Sequence, residues 1–190
     1  MTLTAAKAEA RRAAFARRKA AHAAGHPLPA ARLIEVLADH ARHPLAGYMP
    51  MRTEIDPLPA MAVHAARAPV GVPVIIAPAT PLRFARWTPE TPMVPGEFGA
   101  LIPENCEWMV PELVIVPLVA FDRRGGRLGY GGGFYDRTLA GLRARGPVTA
   151  IGFAWGAQEA EGLPLEAVDE PLDLIVTEAG VIRPDPDAPS

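Results

Sequence analysis

The stretch GRLGYGGGFYDR, residues 126–137, sets Gly129, Gly131, Gly132 and Gly133 around Tyr130 and runs straight into Phe134, Tyr135, Asp136 and Arg137. Each glycine in an ordered element costs roughly 0.5–1 kcal/mol relative to alanine. Such a run before a helix therefore signals that something approaches the backbone. Without Cβ atoms, successive N–H groups can turn toward one anion, and the helix N-terminus adds its positive end. Phosphate suits that chemistry; a tight turn needing positive φ is the alternative the glycines leave open. A dinucleotide fingerprint would need glycine at Phe134, and a P-loop would need Gly-Lys-Ser/Thr, so neither known phosphate loop fits. Asp136, just inside the helix, is placed to bind Mg²⁺, which takes one or two carboxylates beside phosphate oxygens. It equally suits the helix dipole. Arg127 and Arg137 flank the loop and can neutralise phosphate charge.

Other candidates lie far from this stretch. Lys7 and Arg11 are four apart and share a helix face, with Arg18 at a similar angle; a solvated basic face is the plainer reading. His40 and His43 are three apart, but no third ligand is near, so structural zinc is not expected. Cys106 sits in no nucleophile motif.

The elements that must position these residues follow from pattern. Thr2 or Thr4 caps a helix reaching Ala24, with Gly25 as its stop. A second helix is expected over 29–43, a short strand in LAGYMP ending at Pro50, and a third helix over 57–67 after the Asp56–Pro57 start signal. A buried strand falls near 72–77 and an alternating one over 82–87. The Pro- and Glu-rich segment 88–112 reads as a long loop. LVIVPLVAF is apolar throughout, as a central parallel strand requires, and is expected to feed the glycine loop directly. A helix to about Arg145 follows, then buried strands in VTAIGFA and LDLIVTE. Strands alternating with helices predict an α/β fold of three layers, a mostly parallel sheet flanked by helices. In such sheets ligands sit at the carboxyl ends of the strands, where the glycine loop falls.

The chain has 190 residues and a net charge of −2, with 49% apolar residues and a single cysteine. It is long enough for a real core and reads as one domain over 1–190. The charge argues against a general nucleic-acid or anionic-membrane binder. A lone cysteine suits a reducing compartment, and no apolar run reaches the length of a membrane span. The Ala- and Arg-rich first 25 residues also have the composition of a mitochondrial transit peptide.

PLVAFDRRGGRLGYGGGFYDR closely resembles the signature of the 5-formyltetrahydrofolate cyclo-ligase family, also called methenyltetrahydrofolate synthetases. GYMPMRTEID, PLRFARW, VPGEFG, GFAWGAQ and VDEPLDLIVTE match further blocks in order, and Lys7 and Arg11 match the family's N-terminal Lys-x-x-x-Arg, so the resemblance spans nearly the whole chain. It implies a Rossmann-like fold, similar to sugar-phosphate isomerases and CoA-transferases. It also implies ATP- and Mg²⁺-dependent closure of the N5-formyl group of 5-formyltetrahydrofolate onto N10. The products are 5,10-methenyltetrahydrofolate, ADP and phosphate.

The resemblance carries over residue by residue. It puts Lys7, Arg11 and the run Arg127, Leu128, Gly129, Tyr130, Gly131, Gly132, Gly133, Phe134 and Tyr135 on ATP. It puts Met49, Glu54, Phe98 and the run Tyr130–Phe134 on the folate, and Asp136 and Asp169 on magnesium. Arg127, Tyr135 and Asp136 are the expected catalytic residues. Glu54 is expected to accept the pterin's amino and ring N–H groups. With Lys7 and Arg11 matched, the first helix belongs to the working enzyme, and a cytoplasmic monomer without nucleic-acid or membrane partners is expected. The chain departs from the family at Val168, Ile102 and Phe134, each of which removes a polar group near the site. The weighed alternatives are a sugar-phosphate isomerase or CoA-transferase-like enzyme, a folate- or nucleotide-binding relative without turnover, and an RNA-binding relative.

Overall fold

The computed structural model describes residues 2–185 and 187. Its elements in chain order are α1 (Leu3–Ala24), α2 (Ala31–Ala38), β1 (Leu45–Ala46), α3 (Leu58–Ala65), β2 (Val70–Val74), β3 (Arg83–Arg86), β4 (Met93–Pro95), β5 (Leu101–Pro103), β6 (Trp108–Met109), β7 (Leu113–Pro117), β8 (Ala120–Phe121), β9 (Arg127–Leu128), α4 (Phe134–Arg143), β10 (Thr149–Phe153), β11 (Leu174–Val176) and β12 (Val181–Ile182). Short 3₁₀ turns lie at Glu97–Gly99 and Gly156–Gln158.

One sheet dominates, in the order β12-β11-β10-β7-β1-β2-β3-β6. The pairs from β11 through β2 are parallel, and β12, β3 and β6 join antiparallel at the margins. The expected α/β architecture is therefore present. Side chains along β7 alternate between the two faces. Leu113 and Ile115 pack with Leu33 and Leu37 of α2 and Met61 of α3, whereas Val114 and Val116 pack with Leu139 of α4. That gives helices on both faces of the sheet. Helix α1 rests elsewhere: its Ala14 is buried against Val119, Ala120 and Leu128 of the β8–β9 hairpin. Its start and stop are as read from sequence, with the Thr2 hydroxyl accepting from Ala5 N and Gly25 at φ 69°.

Several expectations need correction. Helix α2 ends at Ala38 rather than His43; no apolar residue beyond Leu37 continues its buried stripe, and His43 instead pairs with Glu112. Strand β1 stops at Ala46 because the chain curls after Gly47: the Tyr48 hydroxyl donates to Ile55 O, and Arg52 adopts φ 56°. The segment expected as a loop contains the β4–β5 hairpin and the edge strand β6. The glycine loop is not launched by the central strand. The Asp122 carboxylate accepts from Arg124 N and Gly126 N, closing a turn that pairs β8 with β9, and the loop leaves from β9. A last strand, β12, goes unread in the sequence because only Val181 and Ile182 form it. No helix among the described residues is long and apolar enough to cross a membrane.

Candidate active site

The glycine loop enters α4 through backbone that other residues rarely adopt. Gly131 sits at φ 98° and Gly133, the residue before the helix, at φ 63°. Such left-handed backbone strains any residue with a Cβ. Helix α1 lies against this loop. Arg11 Nε donates to Gly129 O at 2.7 Å, and the Arg11 guanidinium stands 3.5 Å from where a Cβ on Gly131 would be. Arg137 donates to Gly132 O at 2.5 Å and sits over the Phe134 ring, while its Nε is buried without a partner among the described residues.

On one side, the loop meets the turn that follows β1. Tyr130 OH donates to Glu54 Oε1 at 2.6 Å, Met51 N donates to Oε2 at 2.8 Å, and Arg18 Nη1 donates to Tyr130 OH at 2.7 Å. Burial pushes the Glu54 carboxyl above the usual carboxylate range, against the opposing pull of Tyr130, Met51 N and Arg18. The Tyr130 hydroxyl is pushed up to about 12, first by burial and then by Glu54. Nearby, the Tyr135 hydroxyl is buried with no hydrogen-bond partner among the described residues. Burial and then the Glu54 charge hold it well above the phenol range, with Arg127 opposing. An unmade bond of this kind costs roughly 1–3 kcal/mol, which a ligand atom at that point would recover. Met49 lies partly buried against the core beside this turn.

On the other side, the loop meets the segment 166–171. Arg127, almost fully buried, donates from Nη2 to Asp136 Oδ1 at 2.7 Å and from Nη1 to Glu170 O. Glu170 N also donates to Asp136 Oδ1, at 3.1 Å. Lys7 Nζ reaches Glu166 Oε2 at 2.6 Å and Asp169 Oδ2 at 2.9 Å. Burial alone would lower the lysine's pKa, but these two ion pairs raise it, so it stays charged. A cavity of about 320 Å³ opens here, lined among others by Arg124, Arg127, Glu166, Asp169 and Glu170.

The structure thus gathers Lys7, Arg11, Glu54, Arg127, Tyr130, Tyr135, Asp136 and Asp169 around one loop. Asp169 precedes β11, which is not a neighbour of β7 in the sheet. β10 stands between β11 and β7, and Glu170 closes the gap by bonding Asp136. Phe98 lies on the 3₁₀ turn Glu97–Gly99, and its side chain falls outside the described residues. Val168 is 74% exposed, while Ile102 belongs to β5. Sequence reasoning gave no role to Glu166, Glu170 or Thr53. The acids Glu166, Asp169 and Glu170 form a visible cluster, but nothing local reveals cationic partners up to 162 residues away. For magnesium, the donor chemistry fits. Asp136 and Asp169 each keep one carboxylate oxygen with no protein hydrogen bond among the described residues. Those two oxygens, with phosphate oxygens and water, make a suitable oxygen set.

The arrangement can hold a polyanion between Lys7, Arg11 and the loop N–H groups, beside a buried carboxylate suited to N–H donors. The chain is similar to the 5-formyltetrahydrofolate cyclo-ligase of Haemophilus influenzae, 43% identical over 101 residues that make up 50% of this chain and 54% of that one. It is 47% identical over 70 residues to the enzyme of the same name from Escherichia coli K12, covering 37% of this chain and 38% of that one. The matched segment thus spans about half or less of these relatives' length. The solution structure of Aquifex aeolicus 5,10-methenyltetrahydrofolate synthetase superposes with a TM-score of 0.76 at 28% identity, covering 97% of this chain and 95% of that one. The Mycoplasma pneumoniae synthetase shares the fold, with a TM-score of 0.62 at 19% identity over 94% of this chain and 99% of that one. Residues 4–178 match the family described as the 5-formyltetrahydrofolate cyclo-ligase family, and the chain belongs to that family.

Proposed function

We propose that this chain uses ATP and magnesium to convert 5-formyltetrahydrofolate to 5,10-methenyltetrahydrofolate, ADP and phosphate. One observation carries the reading. The glycine loop suited to phosphates touches, through Tyr130, the buried carboxylate suited to a pterin edge. Two ligands bound at those places would share a boundary, which a phosphoryl transfer between them needs.

The formyl oxygen is a poor leaving group. Moving the γ-phosphoryl group onto it gives an iminophosphate; N10 then attacks the formyl carbon, its proton is lost, and phosphate departs. Lys7, Arg11 and the N–H groups of 129–133 hold the phosphates in this scheme, Glu54 holds the pterin edge, and Tyr135 offers its unpaired hydroxyl at the boundary. Magnesium, held by Asp136 and Asp169, would neutralise charge on the transferred group. Arg127 keeps Asp136 oriented while adding positive charge of its own. A cytoplasmic monomer acting only on these small molecules completes the reading.

The test is to mix the protein with 5-formyltetrahydrofolate and Mg-ATP and to follow both the ultraviolet absorbance of the methenyl product and ADP release. Stoichiometric formation of both is expected. ADP release without the folate product, or neither, would overturn the reading.

A further inference from the structure

Arg18 is the largest fully buried side chain outside the apolar core, 2% exposed, yet it lies on the same helix as the nucleotide-side residues Lys7 and Arg11. Its Nε donates to Thr53 Oγ1 at 3.0 Å and its Nη1 to Tyr130 OH at 2.7 Å, and its guanidinium packs over the rings of Phe15 and Tyr130. Nη1 stands 3.9 Å from Glu54 Oε1, too far for a direct hydrogen bond but close enough to act on its charge. Tyr130 has one hydroxyl proton. With Arg18 donating to it, that proton goes to Glu54, and the three groups form a one-way chain from guanidinium to carboxylate.

The geometry assigns Arg18 as a positioning residue for the folate half of the site: through the Tyr130 hydroxyl it fixes the buried Glu54 carboxylate, charged and aimed, for a ligand presenting neighbouring N–H donors. Burying an ion pair seldom improves on a well-packed apolar core. This one also leaves acceptor capacity unused. Among the described residues each Glu54 oxygen takes one protein donor, Tyr130 OH or Met51 N, which leaves each a lone pair. Tyr130, which bridges the pair, is 46% exposed although both ends of the chain are buried, so the bridge is the part that solvent reaches. The other titratable groups around Glu54 are Tyr48 and Tyr135, with Asp56 acting on Tyr48 and Arg127 on Tyr135. Neither tyrosine hydrogen-bonds to Glu54 among the described residues, and Arg18 is the cation within ion-pair distance of it there.

The inference rests on the reading of Glu54 as the folate acceptor, and the experiment separates the two. Binding of 5-formyltetrahydrofolate and, separately, of ATP would be measured by calorimetry across pH 5–8 for the wild type and for Arg18→Gln, Arg18→Lys, Tyr130→Phe and Glu54→Gln. Arg18→Gln is expected to weaken folate binding about tenfold or more while ATP affinity stays within about twofold. The pH below which folate binding fails should rise by about one unit, since Glu54 loses the charge that opposes its protonation. Arg18→Lys should recover most of the affinity. Tyr130→Phe, which leaves Arg18 and the ring packing in place, should move the pH profile the same way and serves if Arg18→Gln fails to fold. Equal losses for both ligands, or an unmoved profile in Arg18→Gln and Tyr130→Phe, would overturn the role of Arg18. Wild-type affinity for the folate retained in Glu54→Gln would instead overturn the reading of Glu54, and the inference with it.

Discussion

Tyr135 carries its hydroxyl into the interior with no partner among the described residues, and this makes a prediction that separates function from stability. Tyr135→Phe removes only the orphan oxygen, so the free protein should become more stable, by about 1 kcal/mol, while turnover falls. Thermal melting and kcat together check this; a less stable variant would mean the hydroxyl has a partner in solution. Glu54 yields a pH dependence. Its carboxyl sits above the usual range because burial outweighs its three favourable partners, and only the ionised form accepts from two N–H donors. Folate affinity should therefore be full at higher pH and be lost as pH falls through that raised pKa, earlier than an exposed glutamate would give. Binding measured at descending pH tests the sign. The glycine run and its Phe-Tyr-Asp-Arg continuation were legible at this scale because they are local, whereas Lys7, Glu54 and Asp169 were reached only through the resemblance. The partners of Lys7 were not legible, since ion pairing to Glu166 and Asp169 depends on how the chain returns.

At the scale of elements, α1 is the part that ties the site together. Over three turns it places Lys7 on the acidic segment, Arg11 on Gly129 O and Arg18 on Tyr130, while Ala14 anchors it to the β8–β9 hairpin. Its capping residues and the i, i+4 spacing of Lys7 and Arg11 were readable beforehand. What it packs against was not, because the hairpin's first strand was hidden inside an apolar run that reads as one strand. The turn at Asp122 was the available signal: an aspartate two residues before Arg124 and four before Gly126 accepts from both N–H groups. Lys7→Ala and Arg11→Ala should each raise the KM for ATP about tenfold, since each removes a charge-assisted contact to one polyphosphate. Because both would touch the same ligand, the double variant should deviate from the product of the single effects. Independent effects in such a cycle would return this face of α1 to a solvated basic surface.

Across the whole molecule, the segment 166–173 is held by cations from three separate elements. Lys7 of α1 takes Glu166 and Asp169, Arg127 of β9 takes Glu170 O, and Arg143 at the end of α4 takes Glu170 and Asp173. That clasp holds Glu170, the residue after Asp169, against Asp136 through its backbone N–H, a relation that only the assembled fold displays. It also sets the two acids apart. Asp136 is the ionic partner of a guanidinium that is 4% exposed, and it accepts from the Glu170 backbone as well. Replacing it by asparagine leaves the buried Arg127 charge poorly compensated and loosens the segment, so Asp136→Asn should cost about 1–3 kcal/mol of stability besides lowering kcat. Asp169 pairs with a lysine that has Glu166 as a second partner. Asp169→Asn should therefore barely change thermal stability, yet raise the magnesium concentration needed for half-maximal turnover about tenfold, if its unbonded oxygen meets the metal. Melting curves and magnesium titrations of the two variants decide between the roles. Unchanged magnesium dependence in Asp169→Asn, with only the Lys7 contact weakened, would make that residue part of the clasp and leave Asp136 as the sole carboxylate for the metal.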